Sequence, residues 1–83
     1  MTNDTYIPVS CERHSEYELA IMHKQTLVIT WNDEQDKTRH QQLMPYNIVT
    51  EQKAEYLLVK NIHGENKKIR LDKIIEAHPI TNE

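Results

Sequence analysis

A single glycine in 83 residues, Gly64, separates two stretches of different patterning, and no other feature narrows the fold so sharply. Before it, Glu55-Tyr56-Leu57-Leu58-Val59 carries bulky apolar or aromatic residues on both faces, as in a strand buried on both sides or closed into a small barrel. After it, Ile69-Arg70-Leu71-Asp72 alternates apolar with charged residues, so only one face is dry. Gly64 takes positive φ without steric penalty, which places a reversal at His63-Gly64-Glu65-Asn66. The stretch from Ala54 to Ile75 is therefore predicted to be a β-hairpin around which the rest of the chain is organised.

Size limits what surrounds that hairpin. A chain of 83 residues makes one small domain and buries only roughly 60% of the surface that its unfolded form exposes. Hydrophobic residues make up 37% of the sequence and Phe is absent, so the core must be thin and built from Leu, Ile, Val, Tyr56 and Trp31. No apolar run approaches the roughly 20 residues needed to span a bilayer, and Met1-Thr2-Asn3-Asp4 lacks the basic and apolar regions of a signal peptide. A soluble, cytoplasmic protein is expected. The lone Cys11 has no partner for an internal disulfide, in keeping with a reducing compartment.

Upstream of the hairpin, Pro8 biases Ile7 toward extended backbone and rules out an earlier helix. Ser10 and Ser15 are both candidate N-caps, and Ser15-x-x-Glu18 fits a capping box. These signals predict a short helix between Cys11 and Lys24, packed through Tyr17, Leu19, Ala20, Ile21 and Met22, with Glu12, Arg13, Ser15 and Glu16 in water. From Gln25 to Trp31, Leu27, Ile29 and Trp31 alternate with Thr26, Val28 and Thr30, a strand pattern. Asn32 to Asp36 reads as a polar reversal. Lys37 to Met44 offers little to a core, so a strand there belongs at an edge or rim. Pro45 is expected to interrupt pairing before the patch Tyr46-Asn47-Ile48-Val49 and a linker from Thr50 to Lys53. A last strand runs from Lys73 to His78, Pro79 ends it, and the tail from Ile80 to Glu83 is expected to be mobile.

One N-terminal α-helix followed by about five short strands, with no βαβ crossover, predicts a mainly β protein. The expected architecture is a small Sm-like antiparallel β-barrel or sandwich forming a single domain over residues 1–83. Sm-like and SH3-like barrels both belong here; the leading helix favours the Sm-like arrangement, and periodicity alone does not separate it from an OB-type barrel. No internal repeat is visible. Catalytic signals are weak: there is no Gly-rich phosphate loop, no H-E-x-x-H and no C-x-x-C, and the one thiol has no evident base. No enzyme activity, metal or cofactor is expected. Cys11-x-x-His14 with His23 falls short of the four closely spaced ligands of a structural zinc site, and His40, His63 and His78 read as surface residues.

Net charge is −3, and its distribution is more informative than its total. Residues 1–24 hold Asp4, Glu12, Glu16 and Glu18 against Arg13 and Lys24, and residues 25–52 are equally acidic. From residue 53 onward the lysines and Arg70 outnumber the acids by one. An acidic half weakens attraction to phosphate backbones, which are held by Lys and Arg displacing counterions, and favours a basic protein surface. The alternative is an Sm-like single-stranded RNA-binding protein, with Trp31, Tyr46 and Tyr56 stacking bases beside Lys53, Lys60 and Arg70. Trp31 and Tyr56 alternate with aliphatics, however, and so belong in the core.

The combination Asn3-Asp4-Thr5-Tyr6-x-Pro8-x-x-Cys11, then Glu18-Leu19-Ala20, then Glu55-Tyr56-Leu57-x-Val59, then Arg70-Leu71-Asp72-Lys73-Ile74, resembles the Rof family, the Rho-binding antiterminators of Gram-negative bacteria. Each piece is weak alone; their order and spacing along nearly the whole chain are specific. The resemblance implies an Sm-like barrel with an N-terminal helix that binds the RNA-binding domain of the transcription terminator Rho, blocks RNA loading and so inhibits termination. It places the Rho-facing surface on Glu12, His14, Glu16, Tyr17 and Glu18. Arg13, His14 and Ser15 stand where family members tend to be more acidic. Tyr17 and Met22 are expected to pack the helix down, and the polar run Thr38 to Gln42 with Pro45 makes poor edge pairing, so a monomer is expected.

Overall fold

The computed structural model describes residues 6–80 of the chain. The mobile tail expected from Ile80 to Glu83 lies outside the described residues from position 81 on, as do Asn3, Asp4 and Thr5 of the first motif. Helix α1 spans Cys11–Met22; the strands are β1 Leu27–Asn32, β2 Thr38–Glu51, β3 Ala54–Lys60, β4 Asn66–Arg70 and β5 Ile74–Pro79, with one 3-10 turn at Leu71–Lys73 before β5.

Ser10 is the cap that α1 uses: its Oγ accepts the Arg13 N–H at 3.2 Å, satisfying one of the donors a helix start leaves free. Ser15 lies inside the helix and the expected capping box does not form. At the other end Lys24 adopts φ 52°, and the Gln25 N–H donates to the Ala20 carbonyl at 2.9 Å, closing the helix with a left-handed residue.

The strands form one antiparallel sheet ordered β4-β3-β2-β1-β5. The predicted hairpin is β3 and β4, paired Tyr56 with Arg70, Leu57 with Ile69 and Leu58 with Lys68. Gly64 sits in its turn at φ 81° with nothing within 4 Å of a built Cβ, so backbone conformation, not crowding, selects glycine there. Ala54, Leu57 and Val59 of β3 are buried, while Glu55, Tyr56 and Leu58 are half-buried; β3 is not covered on both faces as its composition suggested. The alternation beyond Ile69 also stops early, because Leu71–Lys73 turns into the 3-10 segment.

The expected rim strand is the largest correction. Lys37 to Met44 enters β2, the middle strand of the sheet, although Thr38 to Gln42 are all exposed. Leu27 to Asn32 pairs with Leu43 to Thr38, while Met44 to Glu51 pairs with β3. The register shifts between Pro45 and Asn47, so Tyr46 is an extra residue and the strand bends there. Pro45 is fully buried and does not end the strand, because a bulge tolerates a missing N–H. Thr50 and Glu51 complete β2, and the expected linker shrinks to the turn Gln52-Lys53, both at positive φ.

Tyr17 and Ala20 of α1 join Leu27, Ile29, Trp31, Leu43, Leu57, Val59, Ile69, Leu71 and Ile74 in one core. Burying each Leu, Ile or Val contributes about 1.5–3 kcal/mol, and every strand supplies at least one. The five antiparallel strands and the single helix agree with the sequence; closure does not. Among the described residues β4 and β5 end the sheet on opposite sides, so it is open.

Candidate functional site

Helix α1 sets its side chains about 100° apart along the chain, and the burial of Tyr17 and Ala20 fixes which way each one points. Glu12 and Glu16, one turn apart, share one flank. Glu18 lies about 160° round the axis from Glu16 and occupies the opposite flank. All three are exposed. Between the flanks the solvent face carries Ser15, Leu19 and Met22. Leu19 is 51% and Met22 73% exposed, against the expectation that both pack the helix down; at about 100° per residue each lies about 160° round the axis from the buried residue two before it, Tyr17 and Ala20 respectively.

The other residues expected in the partner surface hold the helix in place. Tyr17 is buried, as its core assignment required. Burial pushes its hydroxyl pKa up, and the neighbouring Arg13 charge and hydrogen bond partly offset this. Arg13 is half-buried, not free in water: its guanidinium donates to the Tyr17 hydroxyl at 3.1 Å and to the Ile74 carbonyl at 2.9 Å. This draws the helix's one arginine toward the sheet and leaves its solvent face acidic. His14 is half-buried, with Nε2 at 3.3 Å from a Glu55 carboxylate oxygen and Nδ1 at 3.4 Å from Glu18.

Glu55 is a junction that the sequence did not reveal. Its other oxygen accepts the Tyr6 hydroxyl at 3.3 Å. Burial first, then the Glu55 charge and hydrogen bond, push the Tyr6 hydroxyl up to about 12. The Ile7 N–H donates to Asp72 at 2.9 Å, and Asp72 also receives two Arg70 N–H bonds at 2.8 Å. The Arg70 guanidinium lies 5.8 Å from the Tyr6 ring centroid. Together these contacts strap residues 6 and 7 and the start of α1 to β3 and β4.

No family model matches the chain. Two curated relatives, Protein rof of Escherichia coli (strain K12) and Protein rof of Shigella flexneri, are each 35% identical to it over 78 residues, covering 93% of this chain and 87% of the relative. The chain belongs to the Rof family. In this Rof-family fold, the motif residues that carried the resemblance are largely structural. Tyr6, Glu55, Arg70 and Asp72 make the strap, while Ala20, Leu57, Val59, Leu71 and Ile74 fill the core. Glu12 and Glu16 of α1 stand apart from that scaffold, and Glu18 touches it through His14.

A cavity of about 690 Å³ lies away from α1, between the β1–β2 turn and β4, with Trp31, Asp33, Arg39, Tyr56, Lys68 and Arg70 among its lining residues. Three of its five lining cations face carboxylates of this same chain: Arg39 meets Asp33 at 2.7 Å, Lys68 meets Glu51 at 2.6 Å and Arg70 meets Asp72 at 2.8 Å. The hydrogen bond to Glu51 raises the Lys68 pKa. The aromatic residues weighed for base stacking are also engaged. Trp31 is buried, Lys68 lies 4.9 Å from the Tyr56 ring centroid, and Lys60 lies 5.5 Å from that of Tyr46. A phosphate entering this cavity would compete with those carboxylates. Among the described residues, no three His, Cys, Asp or Glu side chains converge as a metal ion would need, and no helix is long and apolar enough to cross a membrane.

Proposed function

We propose that this Rof-family chain is a non-enzymatic cytoplasmic inhibitor of transcription termination that binds the RNA-binding domain of Rho and blocks RNA loading. Its kinship with Protein rof carries the reading. The chemistry comes from α1, where Glu12, Glu16 and Glu18 are exposed while Arg13 is folded against the sheet. Rho's RNA site must be positive to hold phosphates, so an acidic helix docked on or beside it excludes RNA by occupancy and by competing for the same cations. His14 and Tyr17 serve by fixing the helix, not by facing the partner squarely. The scaffold is Sm-like: β2 bends at the Tyr46 bulge and feeds two half-sheets, the device by which a small sheet curls toward a barrel. The free protein is a monomer.

A Rho-dependent termination assay in vitro tests this. Adding the protein raises readthrough; the charge-reversed variant Glu12→Lys/Glu16→Lys/Glu18→Lys stays folded and restores termination. Unchanged inhibition by that variant at moderate salt would sink the acidic-helix mechanism, since screening leaves close contacts intact while exposed charges fade.

A further inference from the structure

The solvent face of α1 continues into a groove of about 390 Å³ between the helix and β2, lined by Glu18, Ile21, Met22, Asn47 and Ile48. We infer that this groove seats one aromatic side chain from the RNA-binding surface of the protein partner, an inference that rests on the reading above. Isolated exposed apolar residues need no explanation. Here Met22, Ile21 and Ile48 converge on one slot, with Leu19 exposed on the same helix, in a chain too short to waste apolar surface. Among the described residues Glu18 is the one charged side chain lining the slot, and Glu12 and Glu16 border the apolar strip on its far side.

That combination selects the occupant. Surfaces that hold single-stranded RNA present aromatic rings for stacking beside Lys and Arg for phosphates. When RNA is displaced, both kinds of group lose their partners. A ligand offering carboxylates alone would satisfy the cations and leave a ring in water, whereas α1 and its groove supply a carboxylate for the cation and an apolar slot for the ring. Anionic membrane surfaces do not fit, because acidic flanks repel their headgroups. A second copy of this chain does not fit either, because it would bring Glu18 against Glu18.

The test is titration of purified Rho hexamer with fluorescently labelled wild-type protein, Met22→Ala, Leu19→Ala/Met22→Ala and the triple glutamate reversal, at low and high salt. Met22 is exposed and Ala favours helix, so circular dichroism and melting should not change. Met22→Ala is expected to weaken binding about tenfold, a loss of about 1.4 kcal/mol, by the same factor at both salts. The glutamate reversal should lose less at high salt, where screening has already weakened the charges. One aromatic-to-Ala substitution in Rho's RNA-binding domain should be non-additive with Met22→Ala. If Met22→Ala and the double variant bind like wild type while the glutamate reversal fails, the groove is no anchor and the Rho reading stands. A Met22→Ala loss that shrinks with salt as the glutamates' does also overturns the inference, since Met22 would then act through the charges. Absence of wild-type binding to Rho overturns both.

Discussion

Asp72 holds three donors at once, two from Arg70 and one from the Ile7 N–H, and it is 7% exposed against 17% for Arg70. Burial alone would raise its pKa; the Arg70 hydrogen bond, the Ile7 N–H and the Arg70 and Lys73 charges outweigh it, and the carboxyl falls below its ordinary 3.8. Asp33 is held down to about 2, first by the Arg39 hydrogen bond and then by the Lys37 N–H. A carboxyl whose folded pKa is depressed is protonated more readily in the unfolded chain, so its stabilisation is complete above the ordinary value and lost as pH falls toward the folded one. Stability should therefore decline below about pH 4, with the Asp33 share going as the pH approaches about 2. Asp72→Asn should cost roughly 3 kcal/mol near neutral pH, at the low end for breaking a buried ion pair, and should shallow the acid limb; urea unfolding at several pH values reads both. Which acids are paired inward could not be read from sequence, since Glu55 and Asp72 resemble any other charged residue on an alternating strand. Glu12 and Glu16 were legible as solvent residues, because they belong to the polar run that opens the helix ahead of its apolar residues.

At the scale of elements, legibility followed whether side chains or backbone made the element. The β3–β4 hairpin, α1 and β1 announce themselves through burial: Leu57, Val59, Ile69, Tyr17, Leu27 and Ile29 are all core residues. The first half of β2 does not, because Thr38 to Gln42 gain order from a ladder with β1 while their side chains stay wet. The helix was placed but not phased: at about 100° per residue Leu19 and Met22 cannot share the face that buries Tyr17 and Ala20. The β2–β3 turn illustrates the same blindness to backbone, since Gln52 and Lys53 give no glycine signal although φ is 49° and 67°. A two-residue turn with both central φ positive is the primed type that suits Gly, and left-handed backbone costs other L-residues roughly 1–2 kcal/mol. Lys53→Gly should therefore stabilise the protein by roughly 1 kcal/mol, seen as a Tm higher by roughly 4–8 °C.

For the molecule as a whole, the edges that matter for assembly are β4 and β5, not the polar run in β2 from which poor edge pairing was expected. Lys67 and Lys68 lie along β4, and Pro79, which lacks an N–H, closes β5, both of which oppose pairing with another copy. Light scattering should return a single species at the chain mass of 9.9 kDa; a dimer or larger ring would show that these guards fail. The bent strand β2 carries a further consequence for how the chain comes apart. Its first six residues belong to one half of the sheet and its last eight to the other, joined across the buried Pro45, so neither half keeps its pairing if the other melts. A cut within β2 should therefore leave no fragment that folds alone, an outcome that circular dichroism of the separated pieces would check.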